Sequence, residues 1–107
     1  MSSIRSQRVA AEIKKVLSGE LLKTPAFLTI LEVDASPDLK SAKIYFSLFG
    51  SEKACTQTLN LLELEKKSLR QKIAQELSLR ITPELHWIRD NTPERADRIN
   101  RLLKQDS

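Results

Sequence analysis

Four basic residues lie close together near the middle of the chain, a concentration that favours contact with phosphate groups. They are Lys66, Lys67, Arg70 and Lys72. Lysine and arginine side chains bound to phosphates supply affinity without reading base identity. A helix predicted to start at Ser68 would also direct its first backbone N–H groups towards an anion. The alternative interpretation is a solvated helix face that binds no ligand.

Other candidate phosphate contacts lie outside this cluster, on three further segments of the chain. They are Arg8, Lys40, Lys43 and Arg80. Tyr45 follows Lys43 on the same predicted strand face and has a ring on which a base can stack. An ordinary tyrosine on a strand surface is the simpler interpretation. Arg80 is equally suited to a phosphate contact or to an ion pair with Glu84, and the sequence leaves both open.

The chain lacks the residue groupings that most enzymes and metalloproteins require. It has one histidine and one cysteine, so neither a cysteine-rich zinc site nor a pair of catalytic histidines is available. Its two glycines are too few for a P-loop or a dinucleotide-binding fingerprint. His86 is expected to be a surface or packed residue, and Cys55 a core residue. We expect a protein that is not an enzyme and uses neither a cofactor nor a small-molecule substrate.

Composition indicates one small, mildly basic domain. The 107 residues carry a formal net charge of +4, and 40% of them are hydrophobic. The longest apolar runs are too short to span a membrane, and the N-terminal residues lack the apolar stretch of a signal peptide. We therefore expect a single domain over residues 1–107 that is cytoplasmic, monomeric and not bound to membranes.

Apolar periodicity predicts helices in three regions. Residues 7–22 carry an apolar stripe at steps of three and four, and Thr24-Pro25 ends that helix. Residues 54–77 show a helical stripe that is interrupted at positions 65 and 66. Ser68 and Gln71 have capping-box spacing, so we predict two helices with a bend near Lys66; one continuous helix with a polar notch is the alternative. A last helix is predicted from Thr92.

Three strands complete the predicted order of elements. Residues 26–34 are rich in β-branched and leucine residues, and Ser36-Pro37-Asp38 supplies a turn. Residues 41–49 alternate, with Ala42, Ile44, Phe46 and Leu48 on one face and Ser41, Lys43, Tyr45 and Ser47 on the other. Residues 84–89 form the third strand. The order is α-β-β-α-α-β-α, an α+β fold with a three-stranded sheet and helices on one face of it.

This order is that of a type II KH-like domain with an added C-terminal helix, and several strings narrow the comparison. They are residues 7–9 (QRV), 36–45 (SPDLKSAKIY), 69–70 (LR) and 79–91 (LRITPELHWIRDN). Together they resemble the bacterial ribosome-binding factor A family, over residues 6–103.

The resemblance implies a non-enzymatic factor in late maturation of the small ribosomal subunit. Such a factor binds the immature 30S subunit and 16S rRNA, near the region where the rRNA 5′ end is processed and folded, and aids growth in the cold. Members of the family replace the KH glycine loop with an Ala-x-Gly bend between the central helices. Here the corresponding positions are Glu65, Lys66 and Lys67, and neither small residue is present.

Two other functions remain compatible with the residues themselves. One is a KH-like RNA-binding module that is not tied to the ribosome. The other is a protein-interaction domain whose open sheet face or edge strand receives a partner.

Overall fold

The apolar stripe of the first segment forms helix α1, Ile4–Glu20, in a computed structural model that describes residues 4–21, 23–77 and 81–90. Val9, Ile13 and Leu17 are buried along this stripe. Their spacing of four residues places them on one side of the helix, which packs on the sheet. The predicted helix is thereby confirmed, starting three residues earlier than expected.

Strands β1, Phe27–Ala35, and β2, Ser41–Phe49, form an antiparallel pair. A bulge between Ile30 and Glu32 interrupts their register, so that Leu31 has no partner on β2. The Lys14 Nζ of α1 donates to the Leu31 carbonyl oxygen at 3.4 Å. The bulge is therefore supported from the helix side.

Helix α2, Glu52–Leu77, is a single helix of 26 residues, so the predicted division into two helices is wrong. Leu62 and Leu69 are both buried, and seven residues carry a helix through almost two full turns. The buried stripe therefore continues beyond the notch without a break. Residues 63–67 contain only good helix formers and neither glycine nor proline. The Lys66 ammonium forms an ion pair with the Glu63 carboxylate.

Strand β3, Glu84–Arg89, has the predicted bounds and pairs parallel with β2. The sheet order is β1-β2-β3, and α2 makes the connection between the two parallel strands. The helix predicted from Thr92 lies outside the described residues.

Both helices cover the same face of the sheet, as predicted. Ile13, Leu17, Ile44 and Ile73 are fully enclosed in the core between them. On the opposite face Lys43 and His86 are exposed. Ser47 departs from the expected pattern because it is buried, although it lies on the open face. Its register partner on β1 is Thr29.

In the part of the chain that the structure describes, no helix is long and apolar enough to cross a membrane.

Candidate nucleic-acid interface

The candidate site is built around the start of β3, where α2 and the turn between β1 and β2 meet. The guanidinium of Arg70 donates from Nη2 to the Thr82 carbonyl oxygen at 3.1 Å, and from Nε to that of Pro83 at 3.4 Å. One residue further on, the backbone N–H of Glu84 donates to the Lys40 carbonyl oxygen at 2.9 Å. Lys40 and Arg70 are thus held on the same three-residue segment, although they are distant in sequence.

The turn that carries Lys40 is ordered by two polar side chains. Asp38 Oδ1 accepts hydrogen bonds from the Ser36 hydroxyl at 2.6 Å and from the Lys40 backbone N–H at 3.0 Å. Ser36 Oγ in turn accepts from the Ser41 N–H at 3.1 Å. These bonds favour the charged carboxylate, so the Ser36 hydroxyl first, and then the Lys40 N–H, lower the pKa of Asp38 below its ordinary value.

Leu39 completes this turn in the left-handed region, with φ of 61°. A side chain pays a steric cost there, so the turn depends on the surrounding hydrogen bonds and on the packing of Leu39 against the core. The Lys40 side chain leaves this ordered turn and is exposed. A lysine on a fixed turn presents its charge to a phosphate with less freedom to lose than one on a mobile loop.

Lys43 is exposed on the open sheet face, in the middle of a row of charged and polar residues. Its register partners are Asp34 on β1 and His86 on β3. Tyr45, one position along the same face, is half-buried between Glu32 and Ile88. The acidic residues on β1 make this face less suited to nucleic acid than the turn, and they weaken the interpretation of Tyr45 as a stacking residue.

The four predicted basic residues of α2 divide into three groups in the structure. Lys66 pairs with Glu63 at 2.6 Å. Lys72 lies 3.5 Å from Glu76 and 3.9 Å from Glu20 of α1, so it ties the two helices together. Arg70 is engaged with backbone carbonyls, as described above. Lys67 is exposed and makes no ion pair with any residue of the described ranges.

The remaining predicted residues do not join this group. Arg8 is exposed on α1. At 1.5 Å per residue it lies about 18 Å along the helix from Glu20, the α1 residue that Lys72 approaches. Arg80 lies outside the described residues.

The predicted anion site at Ser68 is wrong, because Ser68 lies inside α2 and its backbone N–H belongs to the helical ladder. The helix instead begins after Ser51, whose hydroxyl oxygen accepts from the Ala54 N–H at 3.0 Å. Glu52 adds a negative charge in the first turn. A capped and acidic helix start is not a phosphate site.

The contacts of Arg70 are the feature that sequence reasoning missed. Its carbonyl partners lie 12 and 13 residues away, and nothing in local spacing identifies them. The proximity of His86 to Lys43 has only a weak signal in the sequence. Each residue lies on the face of its own strand that is opposite the core.

A metal centre finds no support in residues 4–21, 23–77 and 81–90, since no three histidine, cysteine or acidic residues come together there. Cys55 is buried, as its place on the apolar stripe predicted.

A mixed three-stranded sheet, covered by helices on one face and with the exposed Lys40 beside the start of its edge strand, defines an α+β protein. Comparison with known proteins narrows this class. A profile described as "Ribosome-binding factor A" matches residues 5–103. The chain belongs to the ribosome-binding factor A family.

Individual relatives agree with this assignment. A ribosome-binding factor A from Chlorobium phaeobacteroides is 37% identical over 109 residues, which cover 96% of this chain and 94% of the relative. The solution NMR structure of a Thermotoga maritima protein is similar with a TM-score of 0.65 and 26% identity, covering 87% of this chain and 94% of that one.

A third comparison is with coordinates of Thermus thermophilus ribosome-binding factor A, fitted as a homology model into a cryo-EM map of a 30S complex. The TM-score is 0.60 at 25% identity, over 74% of this chain and 88% of that one.

Proposed function

We propose that this chain binds the immature small (30S) ribosomal subunit and assists late maturation and folding of 16S rRNA, including processing at its 5′ end. The family match over residues 5–103 carries the proposal. The Thermus thermophilus relative, which was fitted into a 30S complex, supports the choice of partner. The protein acts as a non-enzymatic, cytoplasmic monomer without a cofactor, and it contributes to growth in the cold.

Binding rests on charge and shape rather than on a glycine loop. Gly19 lies in the last turn of α1 and Gly50 follows β2, so neither lies between α2 and β3, nor within α2.

Among residues 4–21, 23–77 and 81–90, three exposed lysines without an ion pair can be related to the start of β3. They are Lys40 on the turn bonded to Glu84, Lys43 opposite His86, and Lys67 one helical turn before Arg70. Lys43 is on the open face and Lys67 is on the helix-covered side, so an rRNA backbone that contacts all three lysines passes around the end of the sheet at Lys40. Such contacts fix the orientation of a protein without reading base identity.

The salt dependence of binding measures the contribution of these cations. Each phosphate contact adds roughly 0.7 to 0.9 to the slope of log affinity against log salt. Three contacts therefore give a slope of about −2.1 to −2.7, which is a loss of about 20- to 40-fold between 50 and 200 mM salt. Arg8 and Arg80 are further candidates that would steepen it.

The test is co-sedimentation of the full chain with immature and mature small subunits across a salt series. We expect retention on immature subunits at low salt, release as salt rises, and weaker retention on mature subunits. Failure to co-migrate with immature subunits at low salt contradicts the proposal.

Competition separates the two alternative functions. Free RNA of unrelated sequence and unlabelled subunits are each used to displace the chain from immature subunits. If the two competitors are equally effective, the chain is a general RNA-binding module. Retention that does not depend on salt, and survives removal of accessible rRNA by nuclease, indicates a protein partner instead.

A further inference from the structure

Arg70 stands among the basic residues of α2, yet its guanidinium is directed at the protein's own backbone. It spans the carbonyl oxygens of Thr82 and Pro83 at 3.1 and 3.4 Å. Arginine presents several donors in a rigid plane, which allows one side chain to hold two neighbouring acceptors. Lysine lacks this rigid planar pair of donors, because its ammonium is a single centre on a flexible stem.

The segment that Arg70 holds lies outside the hydrogen-bonded ladder of the sheet. The β2–β3 ladder begins only at the pair Ser41 and Glu84, so Thr82 and Pro83 precede it. Pro83 is fully buried and has no backbone N–H with which to join a ladder. Besides the packing of Pro83, the guanidinium thus supplies the hydrogen bonds that hold the approach to β3, where the sheet has not yet begun.

The next contact along the chain extends this constraint to the turn between β1 and β2, which carries Lys40. Glu84 N–H donates to the Lys40 carbonyl oxygen at 2.9 Å, immediately after the two carbonyls that Arg70 holds. The connection runs from α2 through residues 82–84 to Lys40. Lys67 lies one helical turn before Arg70 on α2, so its distance from the Lys40 turn depends on the same connection.

We propose that Arg70 is a positioning residue, which sets the spacing of Lys40 and Lys67 for phosphate binding without itself neutralising a phosphate. Its consequence for RNA rests on the function proposed above. The contact itself is a property of the folded chain and can be measured without a ribosome.

The test compares Arg70→Gln with Arg70→Lys, and uses Lys67→Gln as the matched control on the same helix. Hydrogen exchange reports the Glu84 amide, which donates to Lys40. Loss of hydrogen bonds from a charged donor should speed this exchange about tenfold or more in both Arg70 variants. Lys67→Gln should leave it unchanged.

Binding to immature small subunits across a salt series supplies the second measurement. Both Arg70 variants should bind more weakly than the wild type, and by the same extent. Their salt slopes should equal each other, although only Arg70→Lys keeps the charge. Lys67→Gln should reduce the slope by about 0.7 to 0.9, as expected for the loss of one phosphate contact.

Two outcomes overturn the inference. Unchanged Glu84 exchange in Arg70→Gln shows that the guanidinium does not hold the segment. A slope that falls in Arg70→Gln but is retained in Arg70→Lys shows that Arg70 contacts a phosphate directly. If the wild-type chain does not bind subunits while both Arg70 variants speed Glu84 exchange, the proposed function fails and the contact of Arg70 with the start of β3 is upheld.

Discussion

Replacement of Thr58 by valine removes a hydroxyl that joins α2 to the start of β1. Thr58 is completely buried. Its Oγ1 accepts a hydrogen bond from the Ala26 backbone N–H at 2.8 Å and donates one to the Ala54 carbonyl oxygen at the same distance. Valine has nearly the same shape, so the change removes the polar contacts and leaves the packing in place.

The magnitude follows from the group that is left without a partner. The Ala54 carbonyl keeps its helical hydrogen bond, so its loss is small. The Ala26 N–H is buried and loses its acceptor, which costs about 1 to 3 kcal/mol. For a domain of this size about 2 kcal/mol corresponds to a fall in Tm of roughly 8 to 16 °C.

Thr56 supplies the matched control. It lies on the same helix and its hydroxyl donates to the Glu52 carbonyl oxygen at 3.0 Å, but it is exposed. Thr56→Val should change the free energy of unfolding by less than about 0.5 kcal/mol.

Urea denaturation of the wild type and both variants measures the difference directly. Thr58→Ser, which retains the hydroxyl, should recover the hydrogen-bond component of the loss. Equal destabilisation by Thr58→Val and Thr56→Val would refute the role assigned to the Ala26 contact.

Three further changes test the core, the continuous helix and the turn between β1 and β2. Ile73 is fully buried, so Ile73→Ala should lower the free energy of unfolding by about 2 to 5 kcal/mol in urea denaturation, while Leu64→Ala, at a residue 79% exposed, should change it by about 0.5 kcal/mol or less. Ser68→Ala should stabilise the chain by about 0.5 kcal/mol because Ser68 is inside α2; a loss of about 1 kcal/mol would show that Ser68 caps a separate helix. The folded-state pKa of Asp38 is lowered, so its contribution to stability is present above the ordinary aspartate pKa and is lost as pH falls through the folded value. Acid titrations of unfolding for wild type and Asp38→Ala should therefore converge at low pH, and a constant difference would contradict this account.

The strands were predictable because their signal is local. Residues 41–49 alternate in polarity, and β2 has the predicted bounds. β3 also has the predicted bounds, since Pro83 marks its start. The turn chemistry of Ser36 and Asp38 was equally visible, because both side chains bond to backbone within the turn.

The predicted break in the central helix is wrong because helix geometry overrides two local signals. A charged residue at position 65 or 66 interrupts the apolar stripe, but a helix tolerates one solvated position when Leu62 and Leu69 bury its face on either side. The capping-box spacing at Ser68 has no effect when the preceding turn is already helical.

The site was predictable in composition but not in its contacts. The identity of the cations is in the sequence, whereas their availability depends on partners brought close by folding. Lys72 meets Glu20 on another helix, and Arg70 meets carbonyls beyond the end of its own helix. No spacing rule connects these residues. The pairs Lys66–Glu63 and Lys72–Glu76 do follow helical spacing, but Glu63 lies at helical spacing from Lys67 as well, so the sequence alone could not show which lysine it pairs with.

The most direct test of the central claim is the salt dependence of binding to immature small subunits after charge reversal around the start of β3. The triple variant Lys40→Glu, Lys43→Glu, Lys67→Glu is compared with a control that reverses three exposed lysines elsewhere, namely Lys15, Lys23 and Lys53. The first variant should lose affinity and about 2.1 to 2.7 from the slope, while the control should retain most of both. Equal losses in the two variants would mean that net charge alone drives binding. An unchanged slope in the first would show that the interface lies on another face of the protein.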